Sequence, residues 1–268
     1  MTANSSAHEY SEFAQQLALQ AGRMIKNQIR QKMKKSSKKD TSPLTKWDIA
    51  INRMVIEKIQ KKYPDHAVRG EEKSVRKKSS YTWWCDPIDG TIPFVLGIPI
   101  STFSLALIKD GIPVVGVIYD PFMNRMFHAE KGGGAFINKK RISISKEKTV
   151  KGQTFYMGWW KYSLYDLLFV RQALNTDGCK IMDFCSIAYA GALTAAGKFD
   201  GMLYADRYGW DVAAAHILIE EAGGMCTDFE GNRLQFVDDL KGFVAGNKEI
   251  HKKLLRIVRK NAVYNKSK

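Results

Sequence analysis

The segment Asp86-Pro87-Ile88-Asp89-Gly90-Thr91 follows directly on the apolar run Tyr81–Cys85, and it holds two carboxylates around a proline and a glycine. The apolar run reads as a buried strand, and the proline and glycine as the turn at which it gives way to a helix. Both acids therefore stand where a buried strand releases its chain, which points to a mixed α/β fold. Hard divalent cations take carboxylate and carbonyl oxygens, and a tight turn offers Asp86, Asp89 and the Ile88 carbonyl to one small volume. Gly90 and Thr91, at the start of the helix, expose backbone N–H groups suited to a phosphate. The chemistry this implies is metal-dependent and directed at a phosphate.

Elsewhere the composition mainly excludes. A chain of 268 residues is long enough for one large α/β domain or two coupled lobes. No apolar run reaches the length of a transmembrane helix. Met1–Tyr10 is polar and lacks the basic-then-apolar layout of a signal peptide, so a cytoplasmic location is expected. The four cysteines, Cys85, Cys179, Cys185 and Cys226, have no C-x-x-C spacing and read as free thiols. The histidines are dispersed as well, so a metal site here rests on carboxylates. The net charge is +15, and seven of the fourteen positions in Lys26–Lys39 are basic. Such charge reads first as a solvated surface, then as steering of anionic substrates. No helix-turn-helix, zinc-finger or RNP signature accompanies it, so no dedicated nucleic-acid partner and no membrane partner are expected.

Periodicity predicts helices over His8–Ile29 and Thr45–Tyr63, the second ended by Pro64, with a basic, polar stretch between them. After the acidic turn, Ser101–Lys109 and Ile112–Tyr119 read as a hairpin joined by Asp110-Gly111. Arg125–Glu130, Ala135–Ile137 and Arg141–Ile144 read as further antiparallel strands. The second half predicts strands at Thr154–Met157, Gly201–Tyr204 and Phe243–Ala245. Its helices are expected over Ser163–Leu174, Ser186–Ala196, Val212–Ala222 and Lys248–Lys260. No repeat and no long linker divides the chain. Residues 1–268 read as a single unit with approximate lobes 1–150, carrying the turn and an antiparallel sheet, and 151–268, a C-terminal α/β lobe.

Four acidic places are candidates for one site: Gly70-Glu71-Glu72 after a short strand, Asp86, Asp89, and Asp211 before a helix. Singly each has a plain structural reading, with Asp211 as a helix N-cap, Glu71 and Glu72 as loop surface, and Asp86 as a turn residue. Together they supply enough hard oxygen ligands for two divalent ions sharing Asp86. Gly70-Glu71-Glu72, Asp86–Thr91, Trp210-Asp211-Val212-Ala213 and Glu221-Ala222-Gly223-Gly224 resemble the inositol monophosphatase family of Mg²⁺-dependent, lithium-sensitive phosphatases. The resemblance spans roughly Glu12 to Lys260. It implies the layered αβαβα sandwich of the inositol monophosphatase and fructose bisphosphatase type.

By that resemblance Glu71, Asp86 and the Ile88 carbonyl hold a first Mg²⁺, and Asp86, Asp89 and Asp211 a second. Glu71 also helps hold a third ion through water, giving two to three per site. Thr91 matches the threonine that orients the attacking water, and Asp48 the aspartate that accepts its hydrogen bond. Lys39 matches a mobile-loop lysine, with Lys38 fitting nearly as well. Gly90 and Thr91 hold phosphate oxygens. Ser186 and Asp206, beside Asp211, stand where the family touches substrate hydroxyls. In-line attack by water without a phosphoenzyme is expected, because the motif itself holds no cysteine or histidine to act as a nucleophile. A homodimer follows from the resemblance too.

Two places depart from the pattern. Ile92-Pro93 stands where small polar residues are usual, and Ile187 replaces a small residue, with the expectation that it narrows the substrate pocket. The expected reaction is Mg²⁺-dependent hydrolysis of inositol monophosphate or a related polyol phosphate. Histidinol phosphate, a 3′(2′),5′-bisphosphate nucleotide and fructose 1,6-bisphosphate are alternative substrates within the family. A catalytically inactive, polyanion-binding relative is the alternative of a different class.

Overall fold

Thr45 stops the chain before a helix because its hydroxyl accepts the Trp47 amide at 3.2 Å while the Asp48 carboxylate reaches back to the Thr45 N–H at 2.9 Å. Such a capping box satisfies donors that a helix start otherwise leaves unpaired. The computed structural model describes residues 3–29, 36–37 and 43–265. It begins with α1 (Ala3–Gln28), the short antiparallel pair β1 (Ser36–Ser37) and β2 (Pro43–Leu44), and α2 (Lys46–Lys62). There follow β3 (Ala67–Gly70), β4 (Tyr81–Asp89) and α3 (Thr91–Leu96). Then come β5 (Thr102–Lys109), β6 (Ile112–Asp120), β7 (Arg125–Glu130), β8 (Gly134–Ile137) and β9 (Lys140–Arg141). Strands β3 to β9 form a seven-stranded sheet in chain order, parallel between β3 and β4 and antiparallel beyond. Asp110 and Gly111 both take positive φ, 49° and 81°, as a two-residue hairpin requires.

The second half adds β10 (Thr154–Gly158), β11 (Tyr165–Asp166), α4 (Leu168–Thr176), β12 (Lys180–Met182), α5 (Ile187–Ala195) and β13 (Gly201–Tyr204). A 3₁₀ turn, Gly209–Asp211, leads into α6 (Ala213–Glu221), β14 (Met225–Thr227), β15 (Phe243–Gly246), α7 (Lys248–Asn261) and β16 (Val263–Tyr264). A five-stranded sheet has the order β12-β10-β13-β15-β14, and β11 pairs separately with β16.

Period-two alternation sends neighbouring side chains into different layers. Trp83, Leu105, Leu107, Val115 and Val117 pack on the face covered by α1 and α2. Trp84, Ala106, Ile108 and Ile118 pack on the opposite face, against α5 and α6. Those two helices are buried on nearly every side and rich in alanine. Their close approach needs small residues, since a Cβ on Gly191 would stand 2.2 Å from the Ala215 Cβ. Beyond the five-stranded sheet, α4 and α7 cover a third apolar cluster with Phe155, Leu203 and Val244. The layers therefore run helix, sheet, helix, sheet, helix, the αβαβα order expected.

Three boundaries differ from the sequence reading, each because a tertiary bond competes. The helix expected from Ser163 starts at Leu168, because the Tyr165 N–H donates to the Ala205 carbonyl at 3.1 Å and Tyr165 pairs with Tyr264. The strand expected over Arg141–Ile144 ends at Arg141, and the Ile144 N–H crosses to the Ala222 carbonyl. Asp211 belongs to the 3₁₀ turn and is not the N-cap of α6, which has no side-chain cap. All four cysteines are free.

His216, on α6, is buried, and neither ring nitrogen has a hydrogen-bond partner. The Glu220 carboxylate stands 3.7 Å away, beyond that reach. Burial depresses the His216 pKa to about 3 and that of His251 to about 4. The unfolded chain takes up these protons near pH 6.5 while the folded chain refuses them. Their contribution to stability is therefore complete above pH 6.5 and lost as pH falls toward 4 and 3, at about 1.4 kcal/mol per group per pH unit. His216→Phe is expected to be neutral or stabilising at pH 7, since it removes two unpaired buried nitrogens. Its urea midpoint should also fall less steeply than the wild type's between pH 6.5 and 4.5; parallel curves would refute this account.

Candidate active site

The end of β4 carries both motif acids, so the chain stays extended through them, and the register against β5 slips between Asp86 and Asp89. Asp86 folds back on its own loop, its Oδ1 accepting the Ile88 N–H at 3.0 Å. Gly90 then takes φ 83°, a left-handed conformation that turns the chain into α3. A Cβ there would meet the Ser186 Cβ at 3.0 Å and the Cys185 carbonyl at 3.2 Å, so glycine also permits α5 to come close.

Asp89 is buried and points at the start of α5. Its Oδ1 accepts the Ala188 N–H at 3.1 Å, and its Oδ2 accepts the Tyr189 N–H at 3.0 Å, the Thr102 hydroxyl at 2.8 Å and the Ser186 hydroxyl. Burial pushes its pKa up to about 6, with these hydrogen bonds opposing the rise. Asp211 accepts a hydrogen bond from the Tyr204 hydroxyl. Its pKa is well above the usual carboxylate range, first through burial, then through the negative charge of Glu71, with smaller contributions from Asp89 and Asp206. Asp206 is buried too, and its Oδ1 accepts the Arg207 N–H at 2.9 Å. The Glu71 N–H donates to the Cys85 carbonyl at 3.1 Å, which fixes the end of β3 beside β4.

The Thr91 hydroxyl lies 3.1 Å from the Ile88 carbonyl and 3.4 Å from Asp48 Oδ1. Asp48 is fully buried and is the same carboxylate that caps α2. Residues far apart in sequence thus share one edge of the fold: Asp48 from α2, Glu71 after β3, Asp86 to Thr91 from β4 and α3, Ser186 at the start of α5, and Asp206 and Asp211 after β13. Lys39 lies outside the described residues.

Asp211 feels the charge of Glu71, Asp89 and Asp206, and this donor set, carboxylates with the nearby Ile88 carbonyl, has the hard-oxygen chemistry that suits a divalent cation. Among the described residues no three acidic, histidine or cysteine side chains converge on one point as they stand. Like charges drawn into one cleft repel, and here Asp89 and Asp211 each take nearby hydrogen-bond donors.

Two parts of this arrangement were missed from the sequence. Tyr204 read as the end of a strand, yet its hydroxyl meets Asp211, and Thr102 read as strand interior, yet it holds Asp89. Neither has a local signal, because each acts on an acid from another element.

The fold is shared with solved structures. That of the extragenic suppressor protein suhB from Bartonella henselae superposes with a TM-score of 0.85 at 28% identity, covering 97% of this chain and 99% of that one. A Thermotoga maritima protein named fructose-1,6-bisphosphatase/inositol-1-monophosphatase is 34% identical over 226 residues, 84% of this chain and 85% of the relative. The Nus factor SuhB of Xylella fastidiosa is 31% identical over 219 residues, 79% of each chain. These comparisons define an αβαβα protein of the phosphatase class. The profile of the inositol monophosphatase family matches residues 6–262, and the chain belongs to that family.

Removing one donor from Asp89 tests the geometry. Thr102→Val leaves a buried carboxylate one bond short, which should lower unfolding free energy by about 1–3 kcal/mol in urea titration. A loss below about 0.5 kcal/mol, the scale of a neutral surface change, would mean that Asp89 is not held as described.

Proposed function

We propose that this phosphatase hydrolyses a small phosphate monoester, inositol monophosphate or a related polyol phosphate, at the cleft between β4, α3, α5 and Gly209–Asp211. The observation that carries the reading is the Asp211 carboxylate held under the charge of Glu71, Asp89 and Asp206, with the Thr91–Asp48 pair beside the same β4 turn. Glu71, Asp86, the Ile88 carbonyl, Asp89 and Asp211 are the residues that would hold divalent ions, magnesium by preference. Such ions supply charge neutralisation for the phosphate dianion and acidify a water.

The remaining work falls to the chain. Asp48 and the Ile88 carbonyl accept from the Thr91 hydroxyl, which leaves that oxygen's lone pairs to orient an attacking water by accepting a hydrogen bond from it. The Gly90 and Thr91 amides, at the start of α3, hold phosphate oxygens. Asp206 and the Ser186 region contact hydroxyls of the leaving alcohol. Catalysis on this reading is positioning and electrostatics. Lys39, which precedes α2 in sequence, assists as well. The reading carries with it lithium sensitivity, a homodimer and a cytoplasmic location, with residues 1–150 and 151–268 acting as one unit. Among the described residues no helix is long and apolar enough to cross a membrane.

Phosphate release should require Mg²⁺, stop with a chelator, and fall by about 100-fold or more in Thr91→Ala, whose fold should be intact. A panel of inositol phosphate, histidinol phosphate, fructose bisphosphate and adenosine bisphosphate assigns the ester. Turnover that survives Thr91→Ala undiminished would sink the proposed role. A second readout needs no turnover: Mg²⁺ should raise the urea midpoint of the wild type by relieving like-charge repulsion, and raise that of Asp211→Asn much less. Equal shifts in the two would place the ion elsewhere.

A further inference from the structure

A cleft of about 830 Å³ opens between the β11–β16 pair, the last turns of α7 and the segment from Phe229 to Lys241. That is within the roughly 300–1,000 Å³ of small-ligand sites. Aromatic rings contribute to its wall. The Tyr165 ring lies 4.8 Å from that of Phe229 and 5.4 Å from that of Tyr264, centroid to centroid.

Its charges are unevenly matched. Glu230 is answered by Lys241 at 3.4 Å, and Asp239 by Arg69, from β3, at 3.4 Å. Two arginines remain. Arg259 donates to the Glu230 backbone carbonyl, and among the described residues no carboxylate lies within ion-pair distance of it. Arg207 has its Nε 3.7 Å from Asp206 Oδ1, an oxygen that already accepts the Arg207 backbone N–H. Both acids that line the cleft thus have their own cations, while Arg259 is without a carboxylate among the described residues and Arg207 has only the 3.7 Å contact with Asp206. Guanidinium groups pair with planar anions and stack on rings, so arginines beside aromatic side chains favour an anion that carries a flat apolar body.

We propose that this cleft is a second binding site, distinct from the acidic cleft, for a small organic anion bearing a planar ring, such as an aryl carboxylate, sulfonate or phosphate. The ring packs among Tyr165, Phe229 and Tyr264, and the anionic group is bound by Arg207 and Arg259. The site is tied to the acidic cleft by one peptide. Arg207 lines the second site while Asp206, its neighbour, acts on Asp211, and the Arg207 carbonyl is anchored by the Leu240 N–H at 2.8 Å. An anion on Arg207 draws the guanidinium off Asp206. Occupancy should therefore raise the KM for a hydroxyl-bearing ester, an effect that rests on the reading of Asp206 given above.

Anilinonaphthalene sulfonate, a fluorescent aromatic anion, is the probe, titrated into the full chain. Arg207→Gln and Arg259→Gln should each weaken it by about tenfold, the scale of one charge-assisted pair. The uncharged phenylnaphthylamine should bind the wild type more weakly and be indifferent to both changes. Leu96→Glu, at the exposed last residue of α3, should leave sulfonate binding unchanged. Affinity that is lost in Leu96→Glu and kept in both arginine variants overturns the site. Sulfonate binding that leaves the KM for inositol phosphate unchanged overturns the coupling. An absence of turnover on every ester would instead refute the phosphatase reading, because binding is read by fluorescence.

Discussion

The Asp89 carboxylate joins three elements at one point. It ends β4, takes the hydroxyl of Thr102 at the start of β5, and accepts two amides and a hydroxyl at the start of α5. Those amides would otherwise lack partners, and a negative charge at a helix start is favoured by about 0.3–1 kcal/mol, more where it is buried. Burial opposes the same charge and carries the pKa to about 6. Fold and site therefore share one group. The interaction that docks α5 on the large sheet also sets the electrostatics of the acidic cleft, so neither can be altered alone.

A second contact brings the distant half of the acidic set into place. Trp84 lies in the apolar run just before the Asp86–Thr91 motif, and its ring faces the 3₁₀ turn that precedes α6. A Cβ on Gly209 would fall 2.1 Å from that ring, so only glycine lets the turn settle on Trp84. Asp211 follows two residues later and is thereby fixed near β4, within the field of Glu71 and Asp89. The face of β4 opposite Trp84 is packed through Trp83 against the helices that include α2, whose first turn supplies Asp48. Two adjacent tryptophans, pointing to opposite layers, thus anchor the elements that carry Asp48 and Asp211.

How much of this was legible in the sequence follows from the range of each interaction. The order of strands from β5 to β8 was readable, because alternation and a two-residue turn are local signals. The helices α2 and α7 were readable for the same reason. What local pattern could not give were contacts made against local preference: Tyr165 pairing with Tyr264 where a helix was expected, and Ile144 bonding to the end of α6 where a strand was expected. The acids were legible as a candidate set from their hard-oxygen chemistry, but their division among ions came only from the family resemblance, since each alone has a plain structural role. Asp211 illustrates the gap. It reads locally as a helix cap, yet in the structure it caps nothing and answers Tyr204 instead.

The departures from the family pattern divide along the same line. Ile187 was expected to narrow the substrate pocket, but its side chain is buried, and its Cδ1 fills the space over Gly158, where a Cβ would stand 2.4 Å from it. A side chain packed inward in that way helps set how α5 lies on β10. Ile92 differs. It stands in the first turn of α3, next to Thr91, and is 44% exposed, while Pro93 beside it is buried. In a helix start the proline costs no hydrogen bond, so its ring can pack inward while Ile92 stays at the surface. Of the two substitutions, only the one on α3 leaves an apolar group accessible beside the acidic cleft. Ile92 is thus the departure that puts an apolar group at the surface next to Thr91, while Ile187 belongs to the packing of α5.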